Sequence, residues 1–186
     1  GDPQLITVRG QELLRQAEVV VYDHLVAPSL LKSCPPKVKR VYVGKEPKRH
    51  TATQDAINQL LIRSAKSGKR VVRLKGGDPF LFGRGGEEAL ALAKARVLYE
   101  VVPGVTSALA VPAYAGIPVT HRALSSSVAI MTGHEDPTKP ESAIRWDRVA
   151  TACDTLIFLM GVGTLPGIMS QLTRHGRSAK TPCAVI

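Results

Sequence analysis

Short runs of β-branched and other apolar residues alternate with segments of helical periodicity along most of this 186-residue chain. Such alternation favours an α/β fold with a mainly parallel sheet, because a helix is the usual connection between two parallel strands. The pattern restarts near residues 113–122, so we predict two α/β domains, 1–115 and 116–186. The runs predicted as strands lie at 19–23, 38–44, 70–74, 98–102, 126–133, 154–160 and 182–186.

Helix signals lie between these runs. Thr7 is predicted to cap the first helix. Thr51 and Gln54 form a T-x-x-Q pattern that is typical of a capping box, and Gly68 is predicted to close the helix that follows. The other segments predicted as helical are 87–95, 103–116 (helix or turn), 143–150 with Trp146 as its apolar anchor, and 164–176.

The stretch VVRLKGGDPFLFGRGGEEA at 71–89 holds five glycines between a predicted strand and a predicted helix. It is neither a P-loop, because its glycine spacing is wrong, nor a dinucleotide fingerprint, because Glu88 replaces the last glycine. A ligand lying against the backbone at Gly76 and Gly77 is one interpretation, and the carboxylate of Asp78 would then suit an amine, a hydroxyl or a cation. A plain turn with a glycine-rich helix entry is the other interpretation.

Lys and Arg outnumber Asp and Glu by 25 to 15, which gives a net charge of +10. This excess favours an anionic partner such as nucleic acid, a phosphate or a polycarboxylate, or it serves solubility alone. Few aromatic residues are present for stacking on bases. The three cysteines are scattered and form no C-x-x-C pair, which argues against zinc ribbons and redox dithiols.

The chain begins with GDPQLITVRG, without an initiator Met, and ends with TPCAVI inside an apolar run. We therefore expect it to be incomplete at both ends. No apolar run reaches the roughly 18 residues of a membrane span, and no signal peptide is visible. An odd number of isolated cysteines suits a reducing compartment, so we predict a cytoplasmic protein.

Several collinear motifs together resemble the tetrapyrrole (corrin/porphyrin) methylases. The stretches that carry the resemblance are GDPQLITVRG, VVVYDHLV, VGK, QDAINQLL, the 71–89 segment, EVVPGVTSALAVPAYAGIPVTHR, MTGH and LIFLMG. The resemblance implies two α/β domains with a cofactor cleft between them, the first with a mainly parallel sheet and the second with a mixed one. It also implies a homodimer.

The resemblance further implies a methyl transfer from S-adenosyl-L-methionine to two pyrrole carbons of uroporphyrinogen III. The product would be precorrin-2, on the way to siroheme and cobalamin, and no metal would be needed. By the same resemblance, Asp23 is the proton acceptor and Lys45 the proton donor. The residues alone favour other interpretations, in which Asp23 caps the following helix and Lys45 is a solvated surface lysine.

The remaining site residues are assigned by the same resemblance. The expected cofactor contacts are Gly76, Gly77, Asp78, Leu81, Thr106, Ser107 and Met160. The expected contacts to the carboxylates of the substrate are Lys48, Arg49, His50, Arg84, His121 and Arg122, since basic side chains and above all arginine forks match carboxylates. The run His134-Glu135-Asp136 is interpreted as a polar loop and not as a metal site.

Three alternatives stay open. The chain could be another corrin-pathway methylase that acts on a later precorrin. Its basic charge could indicate an RNA methyltransferase of the same fold, although no RNA-binding motif is visible. It could also be a non-catalytic α/β module, which the intact Asp23, Lys45 and glycine loop argue against.

Overall fold

The computed structural model describes residues 1–44, 53–135 and 142–186. By contacts between residues, the chain divides into two compact units, Gly1–Thr106 and Ser107–Ile186. The two α/β domains predicted at 1–115 and 116–186 stay a prediction.

The first unit contains a parallel sheet of three strands in the order β2-β1-β3. The predicted strands at 19–23, 38–44 and 70–74 are confirmed. Their bounds are β1 Val19–Tyr22, β2 Lys39–Tyr42 and β3 Val71–Leu74. Because β1 lies in the middle, its carboxyl end is flanked on both sides by the ends of other strands.

Helices connect the strands of the first unit, as the alternation predicts. Thr7 caps the first helix by accepting a hydrogen bond from the amide of Gly10, and Gly68 follows the second helix at φ +78°. The predicted capping box is wrong: the second helix is capped by Thr53, and Thr51 lies outside the described residues. The helices are α1 Val8–Gln16, α2 Gln54–Lys66 and α3 Gly85–Lys94, with 3-10 turns at Pro3–Leu5 and Pro28–Ser33.

The core of the first unit lies on both faces of β1. Val20 packs with Leu14 of α1 on one face, while Val19 and Val21 pack with Ile57 of α2 on the other. Successive side chains of a strand point to opposite faces, so a strand buried on both faces reads as an unbroken apolar run. The burial of β1 on both faces therefore fixes the position of its carboxyl end, which Asp23 follows directly.

The described residues of the second unit form two parallel strands, three α-helices and a 3-10 turn at Val162–Thr164. The predicted strands at 126–133 and 154–160 are confirmed, and the rings of Trp146 and Phe158 stack with centroids 5.9 Å apart, as expected for an anchor residue. The two described strands run parallel, so a mixed sheet stays a prediction for this unit. The elements are α4 Ser107–Tyr114, β4 Val128–Thr132, α5 Trp146–Ala152, β5 Thr155–Leu159 and α6 Leu165–Arg174.

Two predicted strands are wrong. Residues 98–102 and 182–186 have no regular secondary structure. In the first segment, Leu98 is 98% exposed, and the chain is held by an ion pair between Glu100 and Arg9 of α1, with N–O distances of 2.7 and 2.9 Å. Apolar composition alone therefore does not make a strand where no neighbouring strand is available for pairing. Among the helices of the described residues, none is long and apolar enough to cross a membrane.

Candidate active site

Asp23 follows β1 directly, at the carboxyl end of the central strand. Its Oδ1 accepts a hydrogen bond from the backbone N–H of Leu25 at 3.1 Å. Its Oδ2 accepts one from Nη2 of Arg73 at 3.0 Å. The helix-cap interpretation is thus not supported: Asp23 closes a two-residue turn, and the 3-10 turn that follows begins after Ala27 without a side-chain cap.

A charged cluster surrounds this carboxylate and was not predicted. It consists of Asp23, Arg73, Lys75 and Glu88, hereafter the ionic cluster, in which two positive charges meet two negative ones. Glu88 is 5% exposed, and its Oε1 accepts a hydrogen bond from Nε of Arg73 at 3.0 Å. Nζ of Lys75 lies 3.4 Å from the other oxygen of Glu88. Buried charges persist when they are paired in this way.

Burial lowers the pKa of Lys75, and the nearby positive charge of Arg73 lowers it further. Glu88 and Asp23 act in the opposite direction but do not cancel these effects. Desolvation destabilises an ammonium ion relative to the neutral amine. Perturbed pKa values are common at functional sites and in structural ion-pair networks alike.

The glycine loop after β3 packs closely on its own chain. A Cβ on Gly76 would lie 3.0 Å from the Cβ of Leu25 and 3.2 Å from its carbonyl oxygen. Gly77 is exposed and adopts φ +70°, in the left-handed region that favours glycine. Since the amide of Leu25 also binds Asp23, the structure brings the glycine loop and Asp23 together.

Asp78 shapes this loop from within. Its Oδ1 accepts a hydrogen bond from the amide of Phe80 at 2.8 Å, and its Oδ2 accepts one from the amide of Gly104 at 3.0 Å. A Cβ on Gly104 would overlap the carbonyl oxygen of Gly77. The Asp78 carboxylate therefore ties the glycine loop to the segment that leads to Thr106, another residue expected at the cofactor.

Arg84 stands at the entry of α3 with φ +56°, a conformation that non-glycine residues adopt rarely. Its guanidinium binds Glu87 with both ends of the fork, at 2.8 and 2.7 Å. This hydrogen bonding lowers the pKa of Glu87. The Arg84 side chain is 58% exposed. Arg84 is thus accessible to solvent, but its guanidinium is already paired with the carboxylate of Glu87.

The other predicted residues of the first unit are only partly described. Leu81 and Thr106 are half-buried. The predicted proton donor and three predicted substrate contacts lie outside the described residues, namely Lys45, Lys48, Arg49 and His50. The described chain ends there at Gly44, where an added Cβ would lie 3.0 Å from the backbone nitrogen of His24. Gly44 therefore lies close to the residue that follows Asp23.

In the second unit, Met160 follows β5 with φ +59° and is 57% exposed. A left-handed methionine is costly, and such strain is typical of functional positions. Ser107 begins α4 and is exposed, as are His121 and Arg122. His121 forms an isolated antiparallel bridge with Ser125.

In residues 1–44, 53–135 and 142–186, no group of three His, Cys, Asp or Glu side chains could hold a metal ion.

These features define an α/β protein whose first parallel sheet ends in a carboxylate and a glycine turn, the edge at which open α/β sheets bind ligands. The family model of the Tetrapyrrole (Corrin/Porphyrin) Methylases matches residues 1–186. The chain belongs to this family, and the resemblance carried by its motifs is confirmed.

Individual relatives agree with this membership. The chain is 52% identical, over 186 residues, to the S-adenosyl-L-methionine-dependent uroporphyrinogen III methyltransferase of Methanosarcina barkeri (strain Fusaro / DSM 804), covering 100% of this chain and 73% of the relative. It is similar to the crystal structure of uroporphyrin-III C-methyl transferase from Thermus thermophilus complexed with S-adenyl homocysteine (TM-score 0.78, 42% identity, 96% of this chain and 74% of that chain). It is also similar to a cobalt precorrin-4 methyltransferase (TM-score 0.80, 30% identity, 96% and 72% covered).

Proposed function

We propose that this protein transfers methyl groups from S-adenosyl-L-methionine to two pyrrole carbons of uroporphyrinogen III, which gives precorrin-2, a precursor of siroheme and cobalamin. The observation that carries the proposal is the 52% identity to a uroporphyrinogen III methyltransferase over the whole chain. The identity to the precorrin-4 enzyme is lower, at 30%. A high identity along the full length supports the same substrate class as well as the same fold.

Several features of the described residues support the proposed binding of this cofactor. The backbone at Gly77 is exposed and lacks a side chain, so a flat or folded ligand can lie against it. Asp78 holds this backbone in place, although both of its oxygens already accept a backbone N–H. We propose that Asp78 serves the cofactor mainly by fixing the turn. The further proposed contacts are Gly76, Leu81, Thr106, Ser107 and Met160.

When bound, S-adenosyl-L-methionine supplies a methyl group on a positively charged sulfur. The protein then has to align the reacting carbon, to exclude water and to take up a proton. We propose Asp23 as the proton acceptor, because its carboxylate is oriented by two donors and lies at the ligand-binding edge of the sheet. Each of its oxygens keeps a lone pair for a proton. Lys45 remains the proposed proton donor.

Uroporphyrinogen III carries several carboxylates, so basic side chains are its natural partners. We propose Arg84 and Arg122 as two of them. A substrate carboxylate at Arg84 has to share the guanidinium with Glu87 or displace it, because the existing pair uses both ends of the fork. The other proposed contacts are Lys48, Arg49, His50 and His121. We also propose that the protein forms a homodimer and is located in the cytoplasm.

The experiment is incubation of the purified protein with uroporphyrinogen III and S-adenosyl-L-methionine under anaerobic conditions. We expect a product with two added methyl groups by mass spectrometry and red fluorescence after oxidation. The Asp23→Asn variant is expected to lose about 10²- to 10⁴-fold in turnover while it binds S-adenosyl-homocysteine as the parent does. A parent that methylates only a later precorrin would point to another corrin-pathway enzyme, and one that methylates only RNA would refute the tetrapyrrole substrate.

A further inference from the structure

The guanidinium of Arg73 is engaged on all three of its nitrogen atoms. Nη2 donates to Oδ2 of Asp23 at 3.0 Å, and Nε donates to Oε1 of Glu88 at 3.0 Å. Nη1 donates to the carbonyl oxygen of Leu74 at 2.9 Å. A planar group bonded in three directions cannot rotate without breaking a bond. Its orientation is therefore fixed by the sheet and by α3 together.

The position of Arg73 is unusual for a charged residue. It lies in β3 in parallel register with the buried Val21 of β1, and its side chain is 13% exposed. A buried arginine is costly unless it is paired, and here the negative charges of Asp23 and Glu88 meet it on two sides. Lys75 balances the second acid, so the ionic cluster is neutral as a whole.

We propose that Arg73 is a positioning residue that holds the Asp23 carboxylate in its catalytic orientation, and that Glu88 fixes Arg73 in turn. This inference rests on the proposed role of Asp23 as the proton acceptor. Arg73 itself does not exchange the proton. Its bond to Oδ2 and the bond from the Leu25 amide to Oδ1 hold the two oxygens of Asp23 from different directions.

The chemistry of the side chain explains why an arginine is used. A lysine supplies the same charge, but it has one nitrogen and cannot bridge Asp23, Glu88 and a backbone carbonyl at once. Arg73→Lys therefore keeps the charge and removes the fixed orientation. Glu88→Gln keeps the shape of Glu88 and removes the charge that holds Arg73 from the side of α3.

A double-mutant cycle on turnover tests the proposal, with the variants Arg73→Lys, Asp23→Asn and the two combined. We expect Arg73→Lys to lower kcat by about 10- to 100-fold, the cost of a misplaced catalytic group. We expect the Kd of S-adenosyl-homocysteine and the KM of uroporphyrinogen III to change by less than about threefold, because neither ligand is proposed to touch Arg73. In the Asp23→Asn background, Arg73→Lys should lower kcat by less than about twofold further, since residues that act as one unit are not additive.

Arg70→Met is the matched control, because Arg70 precedes the same strand but is 70% exposed in its pair with Glu18. It should leave kcat within about twofold of the parent. If Arg73→Lys does not fold, as judged by circular dichroism, Glu88→Gln takes its place in the same cycle.

The outcomes separate the two proposals. If Asp23→Asn lowers kcat but the second substitution lowers it by the same factor in both backgrounds, Arg73 does not act through Asp23 and the positioning role is refuted, while the role of Asp23 stands. If Asp23→Asn turns over like the parent, the proposed role of Asp23 is wrong and the positioning role falls with it. A loss of cofactor affinity equal to the loss of kcat would show a general disturbance of the site and would also refute positioning.

Discussion

Replacing Gly104 with alanine tests whether internal packing shapes the glycine loop. A Cβ on Gly104 would overlap the carbonyl oxygen of Gly77, and the amide of Gly104 donates to Oδ2 of Asp78 at 3.0 Å. To admit the methyl group, the two segments have to move apart. That movement stretches or breaks the hydrogen bond that ties them together.

Two terms set the size of the effect. Overpacking of this kind costs about 1–3 kcal/mol, and a hydrogen bond to a charged group contributes about 1.5–3 kcal/mol. The terms share one displacement and do not add fully, so we expect the free energy of unfolding to fall by about 2–3 kcal/mol. For a protein of this size, each kcal/mol shifts Tm by about 2–4 °C, so Tm should fall by roughly 4–12 °C.

The assay combines thermal unfolding with calorimetric titration of S-adenosyl-homocysteine. We expect Gly104→Ala to lower Tm and to weaken binding, because the proposed cofactor backbone at Gly77 moves. Gly86→Ala is the matched control: nothing lies within 4 Å of a Cβ there, and alanine in a helix is favoured over glycine by about 0.5–1 kcal/mol. A Gly104→Ala protein with parental Tm and parental affinity would show that the close approach does not constrain the loop.

Three further results are expected. Arg84→Ala should weaken the binding of uroporphyrinogen III by about 10-fold and leave the binding of S-adenosyl-homocysteine almost unchanged. Glu87→Gln should strengthen the binding of uroporphyrinogen III, because it frees the Arg84 guanidinium. Equal losses of affinity for both ligands in Arg84→Ala would contradict a substrate contact. Hydrogen bonds from the amides of Ser126 and Ser127 and from the hydroxyl of Ser127 lower the pKa of Asp154. The Asp154 carboxylate therefore stabilises the fold above about pH 4, and this stabilisation is lost as the pH falls below that value. Asp154→Asn should lower Tm at pH 6 and differ less from the parent at pH 3. A thiol reagent should modify exposed Cys183 long before Cys34, whose pKa is raised by burial, and equal rates would mean that the core opens readily.

The sequence predicts most of the elements because their signals are local. The run at 19–23 is apolar at every position but its last, and the structure buries it on both faces, as expected for a central parallel strand. The segment 98–102 has similar composition, but a strand needs a partner, and pairing is decided by residues far away in the chain. Leu98 shows the consequence, since it is almost fully exposed.

The site was predicted less completely than the fold. Motif resemblance pointed to Asp23 and to the glycine loop, which the structure brings together through Leu25. The partners of Asp23 were missed. One signal was visible: Arg73 is a charged residue inside a buried strand pattern, and such a residue needs an opposite charge nearby. The sequence does not reveal that Glu88, 15 positions later on a helix, supplies that charge.

At Gly76 and Gly77 the sequence leaves two interpretations open, a ligand against the backbone or a plain turn, and the structure shows that part of the space is taken by the chain itself. At Gly76 the missing side chain admits Leu25, and at Gly104 it admits the backbone of Gly77. Asp78 is expected at the cofactor, but both of its carboxylate oxygens already accept hydrogen bonds from backbone amides. A glycine motif therefore predicts a close approach but does not tell which atoms approach.

The net charge of +10 and the ionic cluster have separate consequences for a polycarboxylate substrate. The cluster around Asp23 is neutral, so the excess of basic residues lies outside it and acts on an anion at a distance. At Arg84, the guanidinium is already paired with Glu87 through Nε and Nη2, so a substrate carboxylate there has to share the guanidinium or displace Glu87. Long-range attraction thus depends on the charge count, whereas proton transfer depends on a locally balanced set of side chains. A count of charges along the sequence cannot separate these two effects, because it does not record which charges already have partners.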